Sequence, residues 1–356
     1  MSYEKRVEET KTYPAILARI MDQASRLKVI RVPRPPKELL KNISKVDIEE
    51  NFRWDSLVSG VDGGSSGKNL EGFYFGVVSA LSYTSSPYEV VDTNPVCDGS
   101  VYRILSSQGS LWLSLLEHKL VFGIALKTAM ERHPDFLFID GSLLLLPAYF
   151  LTKVDGVEID SKTTYPQHQA ECTSTILRLL EYCYNNDINV VGVVKRPTSQ
   201  LFNESIRDAA LLDRFLKVGE MTRPLSPGKH PAISFYMGRL RRDGSLAPSL
   251  KTSIKNLFQV VYVKTTEMKG PLRLEAPSWV SIEDVVKIIM STTDPLTGVP
   301  VHILKADSLV GISSDIYRAC YVRMMLTSLQ DDPSSESMMR PIRGEEFLIL
   351  SGEEPS

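Results

Sequence analysis

The most apolar stretch of the chain, FLFIDGSLLLLPAYFL, runs from Phe136 to Leu151. Asp140 and Pro147 interrupt it, and it is shorter than the roughly 20 apolar residues that a membrane-spanning helix needs. We therefore predict a buried strand that ends on Asp140 and leads into a turn, with no membrane segment. A second apolar run, INVVGVVKRP at 188–197, predicts another strand that helices cover on both faces.

Hydrophobic spacing elsewhere in the chain predicts further strands and helices around these two. Glycine and serine at 63–69, GGSSGKN, predict a loop between two strands. Ser110 is the predicted N-cap of the helix that follows. The further predicted strands lie at 57–62, 72–84, 233–240, 257–265 and 271–280. The predicted helices lie in 1–30 and at 110–133, 165–185, 203–222, 281–291 and about 305–329.

Composition excludes several classes of protein. The 356 residues carry 41 basic and 43 acidic side chains, a net charge of −2, so the chain cannot hold nucleic acid through a uniformly basic surface. Four cysteines without CxxC spacing predict neither a zinc site nor a redox dithiol, and they favour a reducing, cytoplasmic location. The first residues lack the apolar core of a signal peptide.

The length allows one large domain with additions, or two domains. Prolines at 32–38 end the first helical pattern, and the last residues are polar except for a short apolar patch, Phe347 to Leu350. We predict an N-terminal helical arm with a Pro-rich linker at 1–50, a main domain at 51–330 and a polar tail at 331–356.

Three acidic residues occupy positions that a purely structural core would avoid. Asp62 and Asp140 each end an apolar strand, and Glu117 adjoins the apolar stripe of a predicted helix. Taken singly, the two aspartates fit turns with the glycine that follows, and the glutamate fits an exposed helical charge. Together, in this chain order, they predict a site where carboxylates bind divalent cations.

The order of elements is that of a ribonuclease H-like fold: a strand with Asp, further strands, a helix with Glu, a strand ending in Asp, a helix and another strand. Seven segments in order, spanning about residues 57–315, resemble the NurA family of archaeal and bacterial nucleases. These segments are VDGGSSG (61–67), LWLSLLEHKL (111–120), FLFIDGSL (136–143), VVGVVKRP (190–197), LLDRFLKVGEMTRP (211–224), LRLEAPSWV (272–280) and TGVPVHILKADSLVGIS (297–313).

The resemblance implies an α/β fold: a ribonuclease H-like core, with a mixed central sheet flanked by helices, and additional C-terminal β/α elements. It also implies a manganese- or magnesium-dependent exonuclease, with single-strand endonuclease activity as a further option, that acts on single-stranded or duplex DNA ends. Implied partners are a HerA-like hexameric ATPase and a second copy of the chain. The family's metal-binding acids fall on Asp62, Glu117 and Asp140, and its strand-end lysine falls on Lys195.

Two positions depart from the family pattern in the last segment. The family has Tyr-Pro and Ala-His, whereas this chain has Val299-Pro300 and Ala306-Asp307. Asp307 is therefore a candidate fourth metal ligand and catalytic carboxylate. The alternative is a catalytically weakened subunit that regulates a translocase. A third, less favoured reading is an actin-like or sugar-kinase-like phosphotransferase, in which VDGGSSG would cradle phosphate.

Several residues outside these motifs are candidates for contacts with DNA or a partner. The arginines of GRLRRDG (Arg239, Arg241 and Arg242) predict either a basic hairpin along a DNA backbone or a solvated turn. Phe73, Tyr74 and Phe75 predict base stacking or core packing. His302 is the histidine nearest the missing family position, and it is either its replacement or a packed side chain. The first helix, around Ile16, Ile20 and Met21, and the patch Phe347 to Leu350 predict either partner contacts or packing within the subunit.

Overall fold

The computed structural model describes residues 14–26, 43–45, 55–87, 94–145, 148–200, 202, 206–227, 230–242 and 257–342. The chain divides into two compact units, 1–36 and 37–356. The described part of the first unit is helix α1, Pro14–Arg26, which confirms a helix in the predicted arm. Ile16, Ile20 and Met21 on this helix are about half exposed. The patch Phe347 to Leu350 lies outside the described residues.

The second unit contains a mixed sheet of ten strands in the order β1-β8-β9-β10-β7-β5-β2-β3-β4-β6. The strands are β1 Ile43–Lys45, β2 Val58–Asn69, β3 Tyr74–Ser85, β4 Val96–Leu105, β5 Phe136–Asp140, β6 Val157–Glu158, β7 Asn189–Val194, β8 Glu220–Thr222, β9 Phe258–Val263 and β10 Leu272–Pro277.

Five adjacent strands form the centre of the sheet, and three of them, β2, β5 and β7, carry motifs that the sequence analysis selected. β2, β3 and β4 form an antiparallel meander, while β5 pairs parallel with β2, and β7 pairs parallel with β5. Antiparallel strands β10, β9, β8 and β1 extend the sheet beyond β7. The α/β class and the mixed central sheet flanked by helices are confirmed.

Helices cover both faces of this sheet. They are α2 Gly109–Arg132, α3 Ala148–Leu151, α4 Tyr165–Asn185, α5 Asp208–Leu212, α6 Pro231–Arg242, α7 Ile282–Thr292, α8 Val301–Val310, α9 Ser314–Asp331 and α10 Glu336–Met339. One hydrophobic core joins α2 and α4 to the sheet, and a second core on other strand faces joins α7 and α8 to it. Among the described helices, α2 alone is long and apolar enough to cross a membrane, and half of its most apolar window is buried within the protein.

The glycine-serine loop predicted at 63–69 is wrong, because these residues continue β2 and pair with β3 as far as Asn69. Small residues occur here because helices approach both faces of the strand. A Cβ at Gly63 would lie 2.5 Å from Val121 on α2, and one at Gly64 would lie 2.9 Å from the carbonyl oxygen of Val310 on α8. The glycine and serine residues that suggested a loop are therefore explained by close packing against the helices.

Four other local predictions need correction. Residues 203–222 contain the short helix α5 and strand β8 instead of one helix. Residues 233–240 belong to helix α6, where the buried Ala232 and Tyr236 are four residues apart, as on one face of a helix. The residue preceding α2 is Gln108, not Ser110. The helix predicted at about 305–329 is two helices, α8 and α9.

Strand β1 lies in the segment predicted as a linker, where it pairs with β8. The predicted bounds of the main domain and of the tail remain predictions.

Candidate active site

Two aspartates meet at the centre of the sheet because they lie on neighbouring parallel strands. Val61 pairs with Ile139, so Asp62 and Asp140 each follow a paired position. The side chain of Asp62 is 9% exposed and that of Asp140 is 14% exposed. Both carboxylates are thus largely shielded from water. A charge that is buried in this way costs free energy unless an opposite charge compensates it.

Lys195 follows β7 and reaches both aspartates. Its Nζ lies 2.6 Å from Oδ2 of Asp140 and 3.9 Å from Oδ2 of Asp62. Asp307 on α8 places its Oδ2 4.0 Å from the same ammonium, and its side chain is 57% exposed. The structure therefore brings four of the five predicted site residues around one point.

The electrostatics of Asp62 show that this cluster lacks positive charge. Burial, and next the negative charge of Asp140, raise the pKa of Asp62 to about 9, although Lys195 and a hydrogen bond from the Gly63 N–H oppose the shift. Its Oδ1 accepts the Gly63 bond at 2.7 Å. Its Oδ2 is buried and has no hydrogen-bond partner among the described residues. Burial and the charge of Asp140 therefore favour the protonated form of Asp62 when no further cation is bound.

Lys195 remains charged in this environment. Burial lowers its pKa, but the charges of Asp140, Asp62 and Asp307, together with the hydrogen bond to Asp140, outweigh burial, so the pKa lies above its ordinary value. One ammonium faces three carboxylates, and the cluster keeps an excess of negative charge when all three are ionised.

Glu117, the fifth predicted residue, lies beside this cluster but on the α2 side of β2. Ser65 donates a hydrogen bond of 2.5 Å to its Oε2. A Cβ at Gly63 would lie 3.1 Å from Glu117 Cγ, so the glycine permits the glutamate to approach the strand next to Asp62. Among the described residues, the carboxylates within 4.0 Å of Lys195 Nζ do not include that of Glu117.

The donor set suits a hard divalent cation. Carboxylate oxygens are the ligands that manganese and magnesium prefer, and the buried Oδ2 of Asp62, which accepts no hydrogen bond among the described residues and lies 3.9 Å from Lys195 Nζ, is an available ligand atom. As placed, the described side chains form no group of three or more His, Cys, Asp or Glu residues that could hold a metal ion. The fit therefore rests on the pair Asp62 and Asp140, which Lys195 partly neutralises.

Four residues that were candidates for contacts with DNA or for the site, His302, Phe73, Tyr74 and Phe75, are packed in the protein interior instead. His302 is fully buried, its Nε2 lies 3.0 Å from Ser85 Oγ, and burial lowers its pKa to about 4. Phe73, Tyr74 and Phe75 are all buried, so none is available for base stacking as placed.

The predicted basic hairpin is wrong, because the three arginines lie at the end of helix α6. The phosphotransferase alternative also fails, since the phosphate loop that it requires is part of strand β2.

Sequence reasoning missed Ser65, which holds the carboxylate of Glu117. Strand alternation contains the necessary signal, because Gly63 and Ser65 are two residues apart and thus share a strand face. Assigning these residues to a loop removed that signal.

Comparison with known proteins places this chain in a family. The NurA domain model matches residues 56–312. The NurA nuclease from Sulfolobus solfataricus is similar in structure, with a TM-score of 0.58 and 15% identity over 93% of this chain and 98% of that chain. A NurA structure with manganese has a TM-score of 0.55 and 13% identity over 89% and 97%. One bound to dAMP and manganese has a TM-score of 0.51 and 12% identity over 88% and 94%.

No curated protein matches the chain. At these low identities the structural likeness shows a shared fold. The family model, however, covers more than half of the sequence and includes Asp62, Glu117, Asp140, Lys195 and Asp307. The chain therefore belongs to the NurA family.

Proposed function

We propose that this chain is a manganese-dependent DNA nuclease, with magnesium as the alternative ion. The observation that carries the proposal is the buried pair Asp62 and Asp140, in which one carboxylate oxygen has no hydrogen-bond partner among the described residues. A metal-dependent nuclease holds a cation next to the scissile phosphate, and this pair offers anionic oxygen ligands in a chain of the NurA family. NurA structures that contain manganese support the choice of ion.

Asp62 and Asp140 would hold the cation, with Glu117 and Asp307 as further ligands. Glu117 lies against Gly63, the residue that follows Asp62, and Asp307 faces the same lysine as the two buried aspartates. The bound cation would supply Lewis-acid activation of water and neutralisation of phosphate charge.

Lys195 has a different role in the proposal. Its ammonium is held by Asp140 at 2.6 Å, and it would stabilise the negative charge that develops on the phosphate. No side chain is needed as a nucleophile, because water attacks the phosphorus.

The experiment is digestion of end-labelled DNA by purified protein in manganese, magnesium or EDTA. Wild-type protein should cleave with manganese and not with EDTA, and Asp62→Ala should abolish cleavage. Asp160→Asn is the matched control, since Asp160 is a surface carboxylate paired with Arg103. If wild-type protein fails to cleave DNA in both manganese and magnesium, the proposal is wrong.

A second candidate is a regulatory subunit of a translocase without nuclease activity of its own. Val299 and Asp307 favour it, because they replace the tyrosine and histidine that the family has at these positions. Both candidates predict manganese binding by Asp62 and Asp140, so cleavage is the measurement that separates them.

We further propose that the enzyme acts on single-stranded or duplex DNA ends as an exonuclease during end resection and repair. A single-strand endonuclease activity belongs to the same proposal, since water attack at a metal site does not require a free end. A NurA structure bound to dAMP supports a nucleotide as ligand. Labels at the 5′ or 3′ end, on linear and circular substrates, distinguish these activities.

The proposed partners are a second copy of the chain and a HerA-like hexameric ATPase, in a cytoplasmic location. The half-exposed Ile16, Ile20 and Met21 on α1 support a protein contact, because exposed apolar side chains on one helix are stabilised when a partner covers them. Light scattering of the full chain, and of the chain without residues 1–30, tests the dimer. A monomer at every concentration would contradict it.

A further inference from the structure

The turn that follows Asp140 has an unusual set of supports. Gly141 has φ +103, a conformation that favours glycine, and its N–H donates to the Val193 carbonyl at 3.0 Å. The turn then passes over Gly192 of β7. A Cβ there would lie 2.8 Å from the Gly141 oxygen and 2.9 Å from the Leu143 nitrogen.

A buried glutamate holds the far side of the same turn. Glu275 is 1% exposed, and its Oε2 accepts bonds from the Ser142 hydroxyl at 2.6 Å and the Leu144 N–H at 3.0 Å. The Ser142 hydroxyl has one proton and also lies 2.6 Å from the Leu144 carbonyl, so it donates to one of these acceptors at a time. The Leu144 N–H gives Glu275 a second donor.

The charge of Glu275 is compensated from its own strand. Arg273 places Nη2 2.7 Å from Oε1 of Glu275, and its side chain is 11% exposed. Glu275 of β10 pairs with Gly192 of β7, and the lack of a side chain at Gly192 leaves space for the turn. A buried ion pair contributes little to stability compared with apolar side chains of the same size. The pair therefore calls for a reason other than stability.

We propose that Glu275 is a positioning residue that fixes the carboxylate of Asp140 through the turn at 141–144. This inference rests on the proposed function, because it assigns Asp140 a role in holding the metal. It also gives a purpose to β10, which lies outside the five-strand core. Through β10, the extension of the sheet reaches the residues that immediately follow the candidate ligand.

Residues that orient a metal ligand typically change metal affinity about 10- to 100-fold when they are replaced. Glu275→Gln should therefore raise the manganese Kd at least about tenfold, since it removes one charged acceptor while conserving size. Ser142→Ala removes the serine's bond to Glu275 together with its contacts to the Leu144 carbonyl and N–H, keeps the Leu144 N–H bond to Glu275, and should raise the Kd by a smaller factor. Manganese binding is measured without DNA, by electron paramagnetic resonance or calorimetry, and the melting temperature is recorded for each variant.

The matched control is Ser161→Ala. Ser161 also donates to a largely buried glutamate, Glu158, at 2.7 Å, but Glu158 lies on β6, an edge strand that β3 and β4 separate from the aspartate strands β2 and β5. The Ser161→Ala variant should leave the manganese Kd unchanged. If Glu275→Gln does not fold, Ser142→Ala still tests the proposal.

The outcomes separate the inference from the function on which it rests. Weaker manganese binding in Ser142→Ala, with cleavage restored by excess manganese and a melting temperature like that of Ser161→Ala, supports positioning. Unchanged manganese affinity in Ser142→Ala, with wild-type protein that binds the ion and cleaves DNA, overturns it. Wild-type protein that neither binds manganese nor cleaves DNA contradicts the proposed function itself.

Discussion

Replacing Asp62 with asparagine should stabilise the metal-free protein while it abolishes cleavage. Burial and the neighbouring charge of Asp140 raise the pKa of Asp62 to about 9 from 3.8. Between these values the folded protein keeps a proton that the unfolded chain releases. The free energy of unfolding therefore falls as the pH rises through this window. Asparagine has nearly the shape of the protonated acid, and it has no proton to release.

The magnitude follows from the pKa difference. A pH of 7 lies 3.2 units above the pKa of 3.8 that this carboxyl has in the unfolded chain. At about 1.4 kcal/mol per unit, retaining the proton in the folded protein lowers the free energy of unfolding by about 4 kcal/mol, which is the penalty. This value holds for any folded-state pKa well above 7. Asparagine can keep the bond from the Gly63 N–H and can donate its amide hydrogen toward Asp140. We expect most of the penalty to be removed.

Urea denaturation in EDTA between pH 5 and 8 measures the effect. The stability difference between Asp62→Asn and wild type should grow by about 1.4 kcal/mol per pH unit. Asp307→Asn is the control, since that side chain is 57% exposed and should change stability by less than about 0.5 kcal/mol. A difference for Asp62→Asn that stays constant with pH would show that Asp62 is ionised in the folded protein without a bound cation, and the electrostatic argument for a cation site here would fail.

Three further predictions concern neighbouring residues. Lys195→Met should reduce the cleavage rate about 100-fold without weakening manganese binding, because it removes a cation that stabilises phosphate charge; loss of manganese binding would instead make the lysine part of the metal site. Ser65→Ala should raise the manganese Kd about tenfold by releasing Glu117, with little change in melting temperature, and an unchanged Kd would exclude Glu117 as a ligand held by this bond. His302→Gln should reduce the acid sensitivity of folding between pH 6.5 and about 4, where the wild-type chain gains stability as the pH rises because the unfolded histidine alone binds a proton; equal pH slopes in urea denaturation would contradict this assignment.

The strands that carry the aspartates were predictable because apolar runs identify buried strands. Asp140 ends β5 as predicted, and Asp62 lies on the neighbouring parallel strand. Hydrophobic patterns located β2, β3, β5 and β7, whereas β4 was not among the predicted strands. Lys195 entered through family resemblance, and the structure places its ammonium beside both acids.

The failures have physical causes. Glycine and serine in β2 serve helix packing on two faces, which no local pattern records. Helix α6 contains isoleucine, phenylalanine and tyrosine, residues that favour strands in isolation, but tertiary packing of Ala232 and Tyr236 decides the outcome. Glu275 lies in the segment 272–280 that resembles the family, but its role could not be predicted, because that role depends on a turn more than 130 residues away.

The close approach of two helices to β2 has a consequence for how mutational data on this protein should be interpreted. A Cβ at Gly60 would lie 2.4 Å from the backbone carbon of His302, and one at Gly63 would lie 2.5 Å from Val121. In a deep mutational scan scored by activity, both glycines would therefore rank as essential beside Asp62, although neither performs chemistry. Scoring the same library by protein abundance would separate them, because the glycine variants would be depleted and the aspartate variants retained.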